Sequence, residues 1–219
     1  MSDSEQKITI KDREFTYNPQ KLDRDTGKKI DLEVAKSNLL LFNKIANLNN
    51  FRFILFCGTL LGAIREHDFI KNDTDIDLVS NDEECLLNII PLLQKNGFLF
   101  IRYYSSKMRT TYSFSKDGVY IDVYIAKSVN ENKYYLGGAK IPKSFIDSTQ
   151  PFDFLGDSFF IPKEHEKILV MLYGKNWRIP QNKEGYFPLF LRRDFDQIFI
   201  RMIPKSLRNL IKKILGINK

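Results

Sequence analysis

Two aspartates one residue apart, Asp75 and Asp77, lie in the run Asp73-Thr74-Asp75-Ile76-Asp77-Leu78-Val79, which otherwise reads as buried strand. Strand side chains alternate between faces at about 3.3 Å per residue, so the two carboxylates share a face roughly 6 to 7 Å apart, with Ile76 and Leu78 opposite. Burying ionised carboxylates without a counter-charge is costly, and hard oxygen ligands of this kind suit Mg²⁺ or Mn²⁺. The pair predicts a divalent-metal site. A third acid, Asp122, interrupts Val119-Tyr120-Ile121-Asp122-Val123-Tyr124-Ile125. There the four aliphatic residues take one face, and Asp122 shares the other with Tyr120 and Tyr124. Brought beside the first pair by a neighbouring strand, Asp122 would complete the metal site and could also take a proton from an attacking hydroxyl.

Upstream, a stretch over residues 51–57, apolar apart from Arg52, is broken by Gly58-Thr59 before the helix-like Leu60-Leu61-Gly62-Ala63-Ile64-Arg65-Glu66. This order predicts strand, tight turn, helix. A helix opening after a glycine turn presents free N–H groups and its positive dipole end, a seat for phosphate to which Thr59 adds a hydroxyl. Arg65, two turns along, offers a planar fork that can bind phosphate oxygens or order the site. A phosphate seat followed by paired acids suggests phosphoryl chemistry.

Other uses of these residues are weaker. Asp73, Asp75, Asp77 and Glu84 match positions one, three, five and twelve of a calcium loop, but position six is Leu78 where that loop needs glycine. A solvated edge strand would explain the acids without a ligand, although apolar residues flank them on both sides. Arg109, Tyr112, Lys107 and Lys116 lie near strands expected to border the site, as candidates for a donor phosphate or base or as plain surface. His67 and His165 have no partner at ligand spacing.

The elements that would carry these groups follow from periodicity. A short strand is expected over residues 8–17, a polar connector over 18–29, and a helix over 32–48 with a stop at Asn49-Asn50. After the acidic strand, Asn81 can cap a helix that runs to Asn96-Gly97 and that Pro91 should kink or split. Further strands are expected over 98–104, 109–115 and 119–126. The 219 residues are 43% hydrophobic, enough for one main domain, and no internal repeat is evident.

Cys57 and Cys85 show neither metal-ligand spacing nor a disulfide framework, and the N-terminus is not a secretory signal. A cytoplasmic location is expected. Residues 192–219 hold eight basic side chains against two acidic ones, +6 of the chain's formal +7. Within that tail Pro204 can start a helix with Leu207, Leu210, Ile211, Ile214 and Leu215 on one face. The pattern suits either peripheral contact with an anionic membrane or packing on protein. It lacks the interleaved aromatic platforms of a nucleic-acid surface, so no nucleic-acid partner is expected.

Taken together, Gly58-Thr59-Leu60-Leu61-Gly62-Ala63-Ile64-Arg65, then Phe69-Ile70, then Asp73-Thr74-Asp75-Ile76-Asp77 resemble the signature of the LicD and fukutin-related family. Gly58, Thr59, Arg65, Asp73, Asp75 and Asp77 fall on its pattern, Asp122 is similar to its third acidic strand residue, and Phe160-Ile161-Pro162-Lys163 and Leu172-Tyr173-Gly174-Lys175-Asn176-Trp177 resemble its later segment. The resemblance implies an α/β nucleotidyltransferase-type fold, a mixed sheet flanked by helices. It further implies transfer of a phospho-substituent, such as phosphocholine or phosphoribitol, from a CDP-activated donor to a glycan acceptor. Catalytic and metal roles would fall to Asp75, Asp77 and Asp122, and substrate contacts to Gly58, Thr59, Arg65 and Asp73. A nucleotidyltransferase releasing pyrophosphate and a non-catalytic glycan-binding module are the other readings. Where the family has Pro-Trp this chain has Lys71-Asn72, so chemistry carries over better than substrate. The expected layout is an N-terminal strand and connector over 1–30, a catalytic domain over 31–180 and a basic helical tail over 181–219.

Overall fold

The computed structural model describes residues 5–20, 29–71 and 73–180; most of the polar connector, Asn72 and the whole basic tail with its Pro204 helix lie outside the described residues. The expected N-terminal strand is a hairpin, β1 (Gln6–Ile10) paired antiparallel with β2 (Arg13–Tyr17). Its two turn residues, Lys11 and Asp12, both take positive φ, 47° and 63°, the geometry that matches hairpin twist. No glycine marks the turn, so the alternation runs on through it unannounced.

Helix α1 (Leu32–Leu48) spans the residues its periodicity predicts. Asp31 caps it, accepting hydrogen bonds from the Glu33 and Val34 N–H groups at 3.1 and 3.2 Å. Its stripe of Ala35, Leu39, Phe42 and Ala46 is wholly buried, and the Phe42 ring meets those of Phe53, Phe98 and Phe114. The next strand is shorter than expected: β3 (Ile54–Leu55) gives way at Phe56, and α2 (Cys57–Arg65) takes Gly58 and Thr59 into its first turn. Cys57, at φ 44°, turns the chain from strand into helix.

Strand β4 (Ile76–Ser80) is buried at every residue, which removes the solvated-edge reading. Helix α3 (Glu83–Lys95) is capped by Asp82, whose carboxylate accepts the Cys85 N–H at 2.9 Å, and not by Asn81, whose amide reaches Asp147 and Tyr134. It also runs through Pro91 unsplit. Burial of Leu86, Leu87, Ile89, Ile90 and Leu93 outweighs the roughly 3 kcal/mol that an interior proline costs. Glu84 sits in this helix and pairs with Lys11 and Arg13, so the calcium-loop spacing is not a loop.

Strands β5 (Leu99–Ser105), β6 (Thr110–Lys116) and β7 (Val119–Ile125) complete a five-stranded sheet of order β3-β4-β7-β6-β5. Only β4 and β7 are parallel; the other neighbours are antiparallel. Residues 127–162 add elements the periodicity does not reveal: β8 (Lys127–Ser128), β9 (Lys133–Leu136) and β10 (Ala139–Pro142) in a small sheet, helix α4 (Ser144–Asp147), and the hairpin β11 (Thr149–Phe154) with β12 (Asp157–Pro162). Helix α5 (His165–Tyr173) follows and packs on α2. The architecture is α/β, a mixed sheet flanked by helices, as expected.

Candidate active site

The parallel pairing of β4 with β7 sets Asp77 directly opposite Asp122, and residues so paired share a face. Asp75 lies one residue ahead of β4. One carboxylate oxygen from each of the three lies within 4.8 Å of the others. Exposures of 8%, 7% and 0% for Asp75, Asp77 and Asp122 leave little water to screen their repulsion. Hard oxygen donors gathered so closely, from two strands, fit a divalent cation such as Mg²⁺ or Mn²⁺.

The start of α2 is fitted against this acidic strand. Phe56 N–H donates to the Asp77 carbonyl at 3.0 Å, Gly58 N–H to Asp77 Oδ2 at 3.4 Å, and Asp77 N–H to Thr59 Oγ1 at 2.9 Å. Thr59 is fully buried, and its hydroxyl accepts from the acidic strand's backbone, so its visible work is positioning. Gly58 provides space: a Cβ there would meet Asp73 Oδ2 at 2.6 Å. Asp73 in turn accepts the Thr74 N–H on Oδ1 and the Ile30 N–H on its carbonyl, tying the acidic segment to the approach of α1. Gly62 is equally constrained, since a Cβ would lie 2.5 Å from the Asp68 carbonyl oxygen. Both glycines are fixed by neighbours they must clear.

Arg65 stands at the other end of α2, about 10 Å along its axis from Gly58. Its Nε donates to Glu66 at 2.7 Å and its Nη1 to the Trp177 carbonyl at 3.1 Å. Of its two anticipated roles, these contacts belong to ordering the site. Burial pushes the Cys57 thiol well up, and Asp77, Asp75 and Asp73 add to the shift, so it stays protonated and is no nucleophile. Burial likewise raises the Tyr173 phenol, with Cys57 and the same acids adding to the shift.

One site residue escapes sequence reasoning. Arg102 donates from Nη2 to Asp122 Oδ2 at 3.2 Å and from Nε to Ser113 Oγ at 3.1 Å. Phe100 pairs with Phe114 and Arg102 with the adjacent Ser113, so a bulge at Ile101 shifts the register. Without it Arg102 would share Phe100's core face; with it, Arg102 turns to the face of Asp122. Ahead of the arginine the sequence runs Phe98-Leu99-Phe100-Ile101, all apolar, so no break in alternation marks the bulge.

The other candidates separate by face. Tyr112 lies on the face opposite Asp122 and donates to Glu83 at 2.9 Å, which removes it from the site. Lys116 pairs with Asp117. His165 Nδ1 lies 3.2 Å from the Pro162 carbonyl, and His67 lines a separate cleft with Glu33, Lys36 and Asp68. Arg109, by contrast, stands over Tyr104 and Tyr124, and Tyr124 shares the face of Asp122.

A mixed sheet whose parallel pair presents three buried carboxylates beside a glycine-opened helix defines a nucleotidyltransferase-like α/β protein. The chain belongs to the LicD/FKTN/FKRP family: the family model for its nucleotidyltransferase domain matches residues 50–164. A transferase role of the phosphotransferase type follows from that membership in general terms. The match runs from β3 to the start of α5 and leaves the N-terminal hairpin and α1 outside it. No curated protein matches the chain.

Proposed function

We propose that this protein is a metal-dependent transferase that moves a phospho-substituent, phosphocholine-like or phosphoalditol-like, from a CDP-activated donor onto a hydroxyl of a cell-surface glycan. The observation that carries the reading is the convergence of one carboxylate oxygen from each of Asp75, Asp77 and Asp122 within 4.8 Å of one another, from β7 and from β4 and the residue ahead of it, in a chain of this family. An acceptor hydroxyl oxygen attacks the phosphorus bearing the substituent, the bond from that phosphorus to the bridging oxygen breaks, and CMP leaves. Asp75, Asp77 and Asp122 would hold Mg²⁺ or Mn²⁺, which supplies neutralisation of phosphate charge. A carboxylate of the triad, Asp122 in this reading, takes the hydroxyl proton. Thr59 and Gly58 hold the acidic strand against the start of α2, Asp73 packs beside them, and Arg65 braces the far end of that helix.

The acceptor is a glycan, lipid-linked or free, met in the cytoplasm or at the inner face of the membrane, to which the basic tail would bind. Among the described residues no helix is long and apolar enough to cross a membrane. The test is incubation of the full chain with Mg²⁺ and a panel of CDP-linked compounds, following CMP. CMP release that needs the metal supports the reading. The matched domain is described as a nucleotidyltransferase domain, so CTP belongs in the panel. Pyrophosphate release from it, without CMP release from any CDP-linked compound, would replace phospho-substituent transfer by nucleotidyl transfer.

A further inference from the structure

Strand register places two rows of side chains next to each other on the site face. The first runs Asp77, Asp122, Ser113, Arg102; the second, two residues along each strand and so about 6 to 7 Å away, runs Val79, Tyr124, Thr111, Tyr104. Arg109, one residue ahead of β6, lies over the second row. Its Nε donates to Thr111 Oγ1 at 3.3 Å, and its guanidinium carbon is 5.5 Å from the centre of the Tyr104 ring and 5.9 Å from that of Tyr124. Its charge is felt at Cys57, where it opposes the three acids.

The two arginines are held alike and employed differently. Each rests its Nε on a hydroxyl of β6, Ser113 for Arg102 and Thr111 for Arg109, and those hydroxyls are two residues apart on one face. Arg102 gives its Nη2 to Asp122. Arg109 is half-buried, and among the described residues no carboxylate lies within 4.0 Å of it. A guanidinium set over two rings, with its Nε on Thr111 and no hydrogen bond from its Nη groups among the described residues, is suited to bidentate capture of phosphate oxygens.

We infer that Arg109 is an anion-binding residue of the active site, contacting the phosphates of a pyrophosphate-bearing nucleotide, with Thr111, Tyr104 and Tyr124 as its positioning residues. The nucleotide's identity as the donor rests on the function proposed above. The acid row would hold the metal end of the same diphosphate, and Arg109 the end one row along the sheet.

Calorimetric titration of pyrophosphate and CDP in Mg²⁺ tests this on the full-length wild type, Arg109→Gln, Arg109→Lys and Thr111→Val, with Mn²⁺ binding by electron paramagnetic resonance and melting temperature measured alongside. Arg109→Gln should weaken both ligands by about tenfold or more, Arg109→Lys by less, and Thr111→Val by an intermediate factor, with Mn²⁺ binding retained. Unchanged affinity in Arg109→Gln overturns the inference. So does a loss that tracks falling Mn²⁺ binding and melting temperature across all three variants, because Arg109 would then be only a brace. Wild type that binds neither probe overturns it too. Pyrophosphate binding lost in Arg109→Gln, in a protein that turns over no CDP-linked compound, would leave the anion site standing and remove the proposed donor. CDP-linked turnover with full affinity in Arg109→Gln would do the reverse.

Discussion

At the scale of single residues, the site depends on charges placed where water cannot screen them. Asp77 shows this most clearly, since its carboxylate faces Asp122, its N–H is held by Thr59 and its carbonyl by Phe56. Asp77→Asn keeps the shape and removes one charge of the triad. Turnover should fall about a thousandfold, from the loss of several kcal/mol of transition-state stabilisation, while the melting temperature holds or rises as repulsion eases. A variant with near-normal CMP release would remove Asp77 from the chemistry. Thr59→Val makes a different expectation. It leaves the buried Asp77 N–H without its acceptor, costing about 1–3 kcal/mol by urea denaturation, and activity should fall with it because the acidic strand loses its anchor.

At the scale of elements, two local departures from regularity aim the chemistry. The bulge at Ile101 carries Arg102 from the core face to the acid face, and the left-handed Cys57 starts α2 early enough for Gly58 and Thr59 to meet β4. Helix α2 must then lie close to the loop beyond it, and Gly62 is where backbone approaches backbone. Gly62→Ala should cost about 1–3 kcal/mol in chemical denaturation, because the Asp68 carbonyl and the Ile70 N–H cannot rotate aside as a side chain can. Gly58→Ala differs in kind. The Asp73 carboxylate it meets is a side chain that can yield, so the loss should fall more on activity than on stability.

At the scale of the whole molecule, the matched family domain is smaller than the folding unit. Phe42 of α1 packs on Phe53, Phe98 and Phe114, and Ile30 N–H bonds the Asp73 carbonyl, so a chain beginning at residue 50 should lose its cooperative thermal transition. A sharp transition in that truncated chain would show that α1 is dispensable. Buried acid groups also set a pH limit. Cys57, Tyr112 and Tyr173 are all raised above their ordinary values of 9.0, 10.0 and 10.0, chiefly by burial. Above those values the unfolded chain ionises while the folded one does not, so the stability these groups contribute is whole below about pH 9 and is lost as pH rises through their folded-state values. The urea midpoint should therefore fall steadily from pH 9 towards pH 11, and a flat profile would contradict the burial of these groups.

Much of this was legible in the linear chain. Helix α1 was readable to the residue, because an apolar stripe with a stop at Asn49-Asn50 is local information, although its Asp31 cap emerged only in the structure. The three acids were readable because carboxylates in apolar strands are conspicuous, whereas the expected turn at Gly58-Thr59 falls one residue earlier, at Cys57, with both residues inside α2. What the chain could not show was its non-local consequences. Tertiary structure alone placed Asp122 opposite Asp77, unmade Tyr112 as a site residue, carried α3 through Pro91 and turned Arg102 to the acids. Each of those outcomes depends on which strand pairs with which and in what register, and register is decided by packing partners far along the chain, not by the residues that carry the chemistry.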